Sequence, residues 1–309
     1  MKKVLLGLLS ILMVTALLAG CSQPEPAPAA PAADGTAEAP AEASAGDAAS
    51  SDVDWSEMIE VKGSDTMVNL GQAWAENFMD KYPEAFISVT GGGSGTGIAA
   101  VINGTAHMAQ SSRAMREAEF EQAEEAGNEA VEIVAGRDGI VVAVHVSNPV
   151  ESLTMGEIKD IYTGVITNWN EVGGPDMEIS LFSRDTSSGT YAFFKEFVLE
   201  DEEYSPDALL MPSTQAIVEG LIQDNGGIGY IGLGYLTDDV KPMPVAQEEG
   251  ADAYLPSLDT INAGNYPVAR PLFLYTAGDA SPALQMYIDF ILSADGQQVV
   301  EDLGFVPLQ

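Results

Sequence analysis

Four short loops hold most of the residues in this chain that could grip a small polar ligand. They are Gly63-Ser64-Asp65-Thr66, Gly91-Gly92-Gly93-Ser94-Gly95-Thr96-Gly97, Gln110-Ser111-Ser112-Arg113 and Ser183-Arg184-Asp185-Thr186-Ser187-Ser188-Gly189-Thr190. Their chemistry is that of donors: serine and threonine hydroxyls, and backbone N–H groups left accessible by glycine. Where a strand gives way to a helix, the positive end of the helix dipole adds to them. All of these favour an anion. Two of the five arginines, Arg113 and Arg184, fall in the same loops, and a guanidinium fork matches two oxygens of a tetrahedral oxyanion.

Other chemistries fail on spacing. A dinucleotide fingerprint needs glycine at its first, third and sixth positions, but counting from Gly91 the sixth is Thr96 and from Gly93 it is Ile98. A phosphate-cradling P-loop needs a lysine that this loop lacks, and a serine elbow at Ser94 needs glycine where Thr96 stands. His107 and His145 lie far apart in apolar surroundings and there is one cysteine, so neither a metal site nor a catalytic triad is expected. No cofactor, metal or catalytic residue is expected, and the chain reads as a non-enzyme.

Each loop sits between elements that would position it. A short strand at 58–61 precedes the first loop. Met67, Leu70, Trp74 and Phe78, spaced by three and four, predict a helix that Pro83 stops near Tyr82. Residues 86–89 form a strand into the glycine loop, followed by a helix at 98–102, and residues 106–110 a strand toward Ser111. The six glutamates of 117–129 mark a solvated helix face. An apolar strand at 140–146, a helix at 153–161, a strand at 177–182 and a helix at 191–199 frame the Arg184 loop. Beyond them, 214–222 predicts a helix, 226–233 and 268–275 strands, and 284–292 a final helix continued by 297–303. This alternation predicts an α/β fold with ligands at the carboxyl ends of strands. The two long apolar strands, near Ile140 and Val268, are candidate hinge crossings between lobes.

The N-terminus has a different role. Lys2 and Lys3, an apolar run from 4 to 19 and then Leu17-Leu18-Ala19-Gly20-Cys21 read as a signal segment at 1–20 with a lipobox-like end, leaving Cys21 to carry lipid. Residues 21–54 are mainly Ala, Pro, Glu, Ser and Gly and read as a disordered tether. The chain carries 12 Lys+Arg against 47 Asp+Glu, a net charge of −35, which excludes nucleic acid as a partner. Such a field repels an anion at long range. Salt screens it over about 8 Å, leaving close hydrogen bonds to decide binding.

Together with Leu153-Thr154-Met155, Ile161-Tyr162-Thr163-Gly164, Ile166-Thr167-Asn168-Trp169, Gly227-Ile228-Gly229-Tyr230 and Arg270-Pro271-Leu272, the four loops resemble the phosphate-binding lipoproteins of PstS type. These serve the phosphate-specific ABC transporter within the type II periplasmic-binding-protein superfamily, and the resemblance spans residues 58–309. It implies an α/β, two-lobed fold with the ligand cleft between lobes and two crossing hinge strands. Lobe I would be 55–138 plus 267–309 and lobe II 139–266. Inorganic phosphate would be the ligand, ABC permease subunits the partners, and the N-terminal lipid the only membrane contact of an extracytoplasmic monomer.

Carried over residue by residue, the resemblance makes Ser64, Asp65, Thr66, Ser94, Gly95, Thr96, Ser112, Arg113, Arg184, Ser187, Ser188, Gly189 and Thr190 the phosphate-binding set, with Arg184 the bidentate partner. This chain departs from the best-known members, which carry Asp at the position of Arg113 and another acid near Thr186. Asp65 therefore takes the role of proton acceptor, with Arg113 a second cation and Asp185 a competing acceptor. An acid has a purpose there: monohydrogen phosphate carries a proton that a carboxylate can accept, whereas sulfate meets only repulsion. Two other functions stay open: binding of a different tetrahedral oxyanion, and an adhesin or signalling lipoprotein on the same fold. A phosphatase is disfavoured for want of a base, a metal set or an elbow.

Overall fold

The computed structural model describes residues 53–308; the expected signal segment, Cys21 and nearly all of the tether lie outside them. In chain order the first half gives β1 (Ile59–Gly63), α1 (Val68–Lys81), β2 (Ile87–Thr90), α2 (Ser94–Ile102), β3 (Met108–Ser111), α3 (Glu117–Glu125), β4 (Ala130–His145), β5 (Leu153–Thr154) and α4 (Met155–Thr163). The second gives β6 (Ser180–Arg184), α5 (Gly189–Phe197), β7 (Leu209–Met211), α6 (Thr214–Gln223), β8 (Gly227–Gly232), β9 (Val240–Pro242), β10 (Val245–Ala246), β11 (Ala253–Tyr254), α7 (Leu258–Asn262), β12 (Ala269–Ala277), α8 (Pro282–Leu292) and α9 (Ala294–Asp302).

Local chemistry accounts for the helix limits. In α1 the buried residues Leu70, Trp74 and Phe78 lie on one face, and the helix ends at Tyr82, just before Pro83. Helix α4 opens on a capping box between Thr154 and Glu157 and closes on Gly164 at φ 83°, a left-handed conformation suited to glycine. Ser281 caps α8 with Pro282 in its first turn.

One large sheet runs β2-β1-β3-β12-β4-β8-β6-β7, with β9 also on β4, and β11-β10-β5 form a small second sheet. Strand β1 is parallel to β2 and β3, and β6 is parallel to β7 and β8, whereas β12 and β4 run antiparallel to each other. Strand β4 pairs with β12 along its first part and with β8 from Ile140 onward, so a single strand serves both halves of the sheet.

The core divides along the same line. One cluster packs Trp74, Phe78, Met108, Leu272, Leu274, Tyr287, Phe290 and Phe305; another packs Ile140, Val142, Tyr162, Trp169, Phe194, Tyr230 and Val268. Each large buried side chain stabilises its lobe by about 2 kcal/mol. Between Ala135 and Ile140, and again between Val268 and Leu272, the chain passes from one cluster to the other. These are the two crossings of a two-lobed α/β fold.

Three details depart from the sequence reading. Strand β4 starts at Ala130, because its first residues, half exposed, hydrogen-bond along β12 and need no apolar run. Helices α8 and α9 are separate: Ser293 ends the first and its side chain accepts from the N–H of Gly296 to start the second. The acidic stretch after Leu199 contains the edge strand β7.

Candidate functional site

Parallel strands deliver the loops. From β1 the chain enters a 3-10 turn at Asp65–Met67 and then α1; from β2 it passes Gly91–Gly93 into α2; from β6 it turns through Asp185–Ser188 into α5. Three helix starts therefore face a common region, two from one lobe and one from the other. The first amides of a helix have no partner within it. In α5, Thr190 and Tyr191 donate to the Ser188 side chain, and in α2, Gly95 donates to the carbonyl of Ser187. The N–H groups of Asp65, Thr66, Ser94 and Gly189 have no acceptor among the described residues.

Hydroxyls fill the space between these amides, all of them buried. Ser64 Oγ donates to Ser112 Oγ at 2.9 Å, and Ser112 Oγ lies 3.3 Å from Ser94 Oγ. The Ser112 amide donates to Ser94 Oγ at 3.1 Å, and Thr66 Oγ1 lies 2.7 Å from Thr190 Oγ1. Gly189 closes the group: a side chain there would collide with Ser94 Oγ and lie 2.8 Å from Ser112 Oγ. Gly93, at φ +93°, has no room for a side chain against Ser187.

The charged residues are arranged differently from the sequence expectation. Arg184 is almost fully buried and donates to Met211 O, Thr214 Oγ1, Pro212 O and, at 2.7 Å, Asp65 Oδ2. The other Asp65 oxygen accepts from the Gly92 amide, and the Asp65 carbonyl accepts from Tyr235 at 2.6 Å. Burial, then the Asp65 charge, pushes the Tyr235 phenol up to about 12. Arg113, expected as a second cation facing the anion, instead makes a two-point bond to Glu119 at 2.7 and 2.6 Å. Burial works to raise the Glu119 carboxyl, but bonds from Arg113 and the Arg116 amide hold it below the usual range. Asp185 accepts from the amide and hydroxyl of Ser187.

The structure thus gathers Ser64, Thr66, Ser94, Ser112, Ser188, Gly189 and Thr190. It places Asp65, Gly95, Arg184 and Ser187 in contacts that join the loops: Gly95 N–H to Ser187 O at 3.0 Å, and Ser187 Oγ to Gly92 O at 3.1 Å. Thr96 turns its hydroxyl back to Gly92 O, and Arg113 points to α3.

Two buried residues next to the cluster escaped the sequence reading. Arg270 donates through Nε and Nη2 to Asp138 Oδ2 at 3.3 and 2.9 Å, and through Nη2 to Thr190 Oγ1 at 2.9 Å. Burial pushes the Asp138 carboxyl up, against the pull of Arg270. Asp138 also accepts from the amide of Leu233, which packs against the second core cluster. The available signal was the Arg270-Pro271-Leu272 motif; nothing local marked Asp138.

Comparison with known proteins follows the same outline. The model of the PBP superfamily domain matches residues 27–295. The phosphate-binding protein PstS of Pseudomonas aeruginosa is 31% identical over 263 residues, 80% of this chain and 81% of that protein. PstS of Bacillus subtilis is 34% identical over 253 residues, 81% of this chain and 80% of its own length. A Clostridium perfringens substrate-binding protein, assigned to phosphate ABC transport and solved with phosphate bound, superimposes with a TM-score of 0.75. It is 31% identical and covers 82% of this chain and 100% of its own.

Proposed function

The chain belongs to the PBP superfamily and, within it, to the family of PstS phosphate-binding proteins, and from that premise we propose that it captures inorganic phosphate outside the cytoplasm and delivers it to an ABC permease. The observation that carries this reading is the meeting of six buried hydroxyls, from Ser64, Thr66, Ser94, Ser112, Ser188 and Thr190, with the open amides of three helix starts. A hydroxyl redirects its proton by rotating one bond, so groups now bonded to one another can turn to the oxygens of a tetrahedral anion. Helix dipoles and amides add partial positive charge without a mobile cation.

Asp65 suits the role of proton acceptor. A carboxylate has about four lone-pair directions, and Gly92 and Arg184 occupy two of them. One N–H of Arg184 Nη1 remains for the anion beside its bond to Thr214. Asp185 is a weaker candidate because Ser187 already engages it.

Capture involves closure. We assign 55–138 with 267–309 to one lobe and 139–266 to the other, hinged where the chain changes core cluster. The Asp65–Arg184, Gly95–Ser187 and Tyr235–Asp65 contacts then close the cleft over bound ligand. We further assign Cys21 as the lipidated residue and residues 21–52 as the tether of a monomer held at the membrane surface, short of the expected 54 because Val53 packs against the first core cluster. The protein carries rather than transforms its ligand: His107 and His145, the two residues best suited to proton transfer, engage Glu60 and Ser147 instead of the hydroxyl cluster.

One preparation tests these points together. Protein purified without added ligand is denatured and assayed for phosphate, and the native protein is incubated with p-nitrophenyl phosphate. Retained phosphate near one equivalent, with no p-nitrophenol released, is expected. Release of p-nitrophenol, or failure to retain or take up phosphate, contradicts the proposal.

A further inference from the structure

Resting on the phosphate reading above, we propose that Arg270, held by Asp138 at the hinge, is a direct ligand of the anion and the main fixed positive charge of the site. Of the other four arginines, Arg113 is engaged by Glu119, Arg137 by Asn262, and Arg184 by Asp65 and three further acceptors with one N–H of Nη1 left over, while Arg116 lies exposed at the start of α3. Arg270 is 2% exposed, and its Nη1 is buried without a hydrogen-bond partner among the described residues.

Geometry tells where that nitrogen points. A guanidinium is planar and its two terminal nitrogens present parallel N–H bonds along one edge. Nε and one N–H of Nη2 lie along the side edge, on Asp138 Oδ2, and the other N–H of Nη2 goes to Thr190 Oγ1. The N–H of Nη1 beside it therefore runs toward the same hydroxyls, where Thr190 meets Thr66. An oxygen of the ligand placed there would receive the terminal fork. The fork is held in place: the Phe193 ring lies 5.5 Å from the guanidinium carbon, and the Leu233 amide fixes the Asp138 carboxylate.

Position adds a consequence. Arg270 and Asp138 face each other in the β12–β4 ladder, inside the two segments where the chain crosses between core clusters. An anion on Arg270 touches the pivot as well as both lobes, so ligand binding acts directly on the hinge. A buried donor left unbonded is unfavourable, and an oxygen of the ligand placed there relieves it.

Isothermal titration with inorganic phosphate on the parent chain, Arg270→Lys and the double variant Asp138→Asn/Arg270→Gln tests this. The double variant removes both charges and leaves no lone buried ion. Its affinity is expected to fall roughly 100-fold, with an unfolding temperature in phosphate-free buffer close to the parent's. Arg270→Lys, which keeps the charge but not the fork, should lose roughly 10-fold. A merely structural role would lower the unfolding temperature and leave the affinity in place. Binding within about threefold of the parent by the double variant overturns the proposal; if that variant does not fold, the same outcome for Arg270→Lys does. A parent that binds no phosphate overturns the functional reading itself, a result distinct from a parent that binds and variants that bind equally.

Discussion

Asp65 and Arg184 are 119 positions apart in the chain, yet a carboxylate oxygen of the first lies 2.7 Å from a guanidinium nitrogen of the second. The pair ties the turn after β1 to the end of β6, and so one lobe to the other. With Arg184 at 1% side-chain exposure and Asp65 at 16%, water screens it weakly. Asp65→Asn keeps the shape and removes the charge, leaving Arg184 its neutral acceptors and the more distant Asp185 carboxylate at 3.8 Å. We expect a loss of about 2 kcal/mol, seen as a fall of roughly 4–8 °C in the calorimetric unfolding temperature. An unchanged transition would mean that the pair adds nothing to the closed form.

Gly189 gives a test of the site without a change of charge. It is the first residue of α5, where alanine is well tolerated by the backbone, yet an added methyl would meet Ser94 Oγ and Ser112 Oγ. Gly189→Ala should lower phosphate affinity roughly 100-fold by titration calorimetry while the far-ultraviolet circular dichroism stays as in the parent. Parent-like affinity would place the ligand somewhere other than against these hydroxyls.

Glu119 provides a pH signature. Its folded-state pKa lies below the ordinary value because the Arg113 fork and the Arg116 amide outweigh burial. A lowered carboxylate pKa means stabilisation that is complete above the unfolded-state value and is lost as pH falls through the folded-state value. In Glu119→Gln the fall in unfolding temperature on acidification should be shallower below the usual glutamate range. At neutral pH the variant should be less stable by about 1 kcal/mol. Parallel acid limbs for the two proteins would contradict this.

The N-terminal assignment is tested in cells. Cys21→Ser should release the protein from the membrane fraction into the soluble extracytoplasmic fraction, measured by immunoblot after fractionation. Retention on membranes would contradict lipid anchoring at Cys21.

The loops were legible because their signals are local. Glycine and hydroxyl residues at a strand-to-helix junction mark a helix start within a few positions, and Ser64, Ser94, Ser112 and Ser188 could be read without knowing what lies across the cleft. Side-chain partners depend on long-range register and could not be read that way. Arg113 is a local exception: its partner Glu119 is only six positions on, hidden among glutamates that read as a solvated face. Arg270 and Asp138 meet because β12 and β4 pair antiparallel in one particular register, 132 positions apart along the chain. The early part of β4, with its mixed polar and apolar residues, carries no strand-like pattern and owes its conformation to β12. The break at Ser293 was readable in principle, since a serine three residues before Gly296 is a usual cap, but the apolar periodicity on either side masked it.

The central claim is that hydroxyls, amides and an acid from distant loops enclose one protonated oxyanion. Titration calorimetry of the parent protein at neutral pH with phosphate and then sulfate, repeated on Asp65→Asn, tests it most directly. The expected result is tight binding of phosphate, no measurable heat with sulfate, and a smaller gap between the two in the variant. Equal binding of phosphate and sulfate by the parent would contradict it.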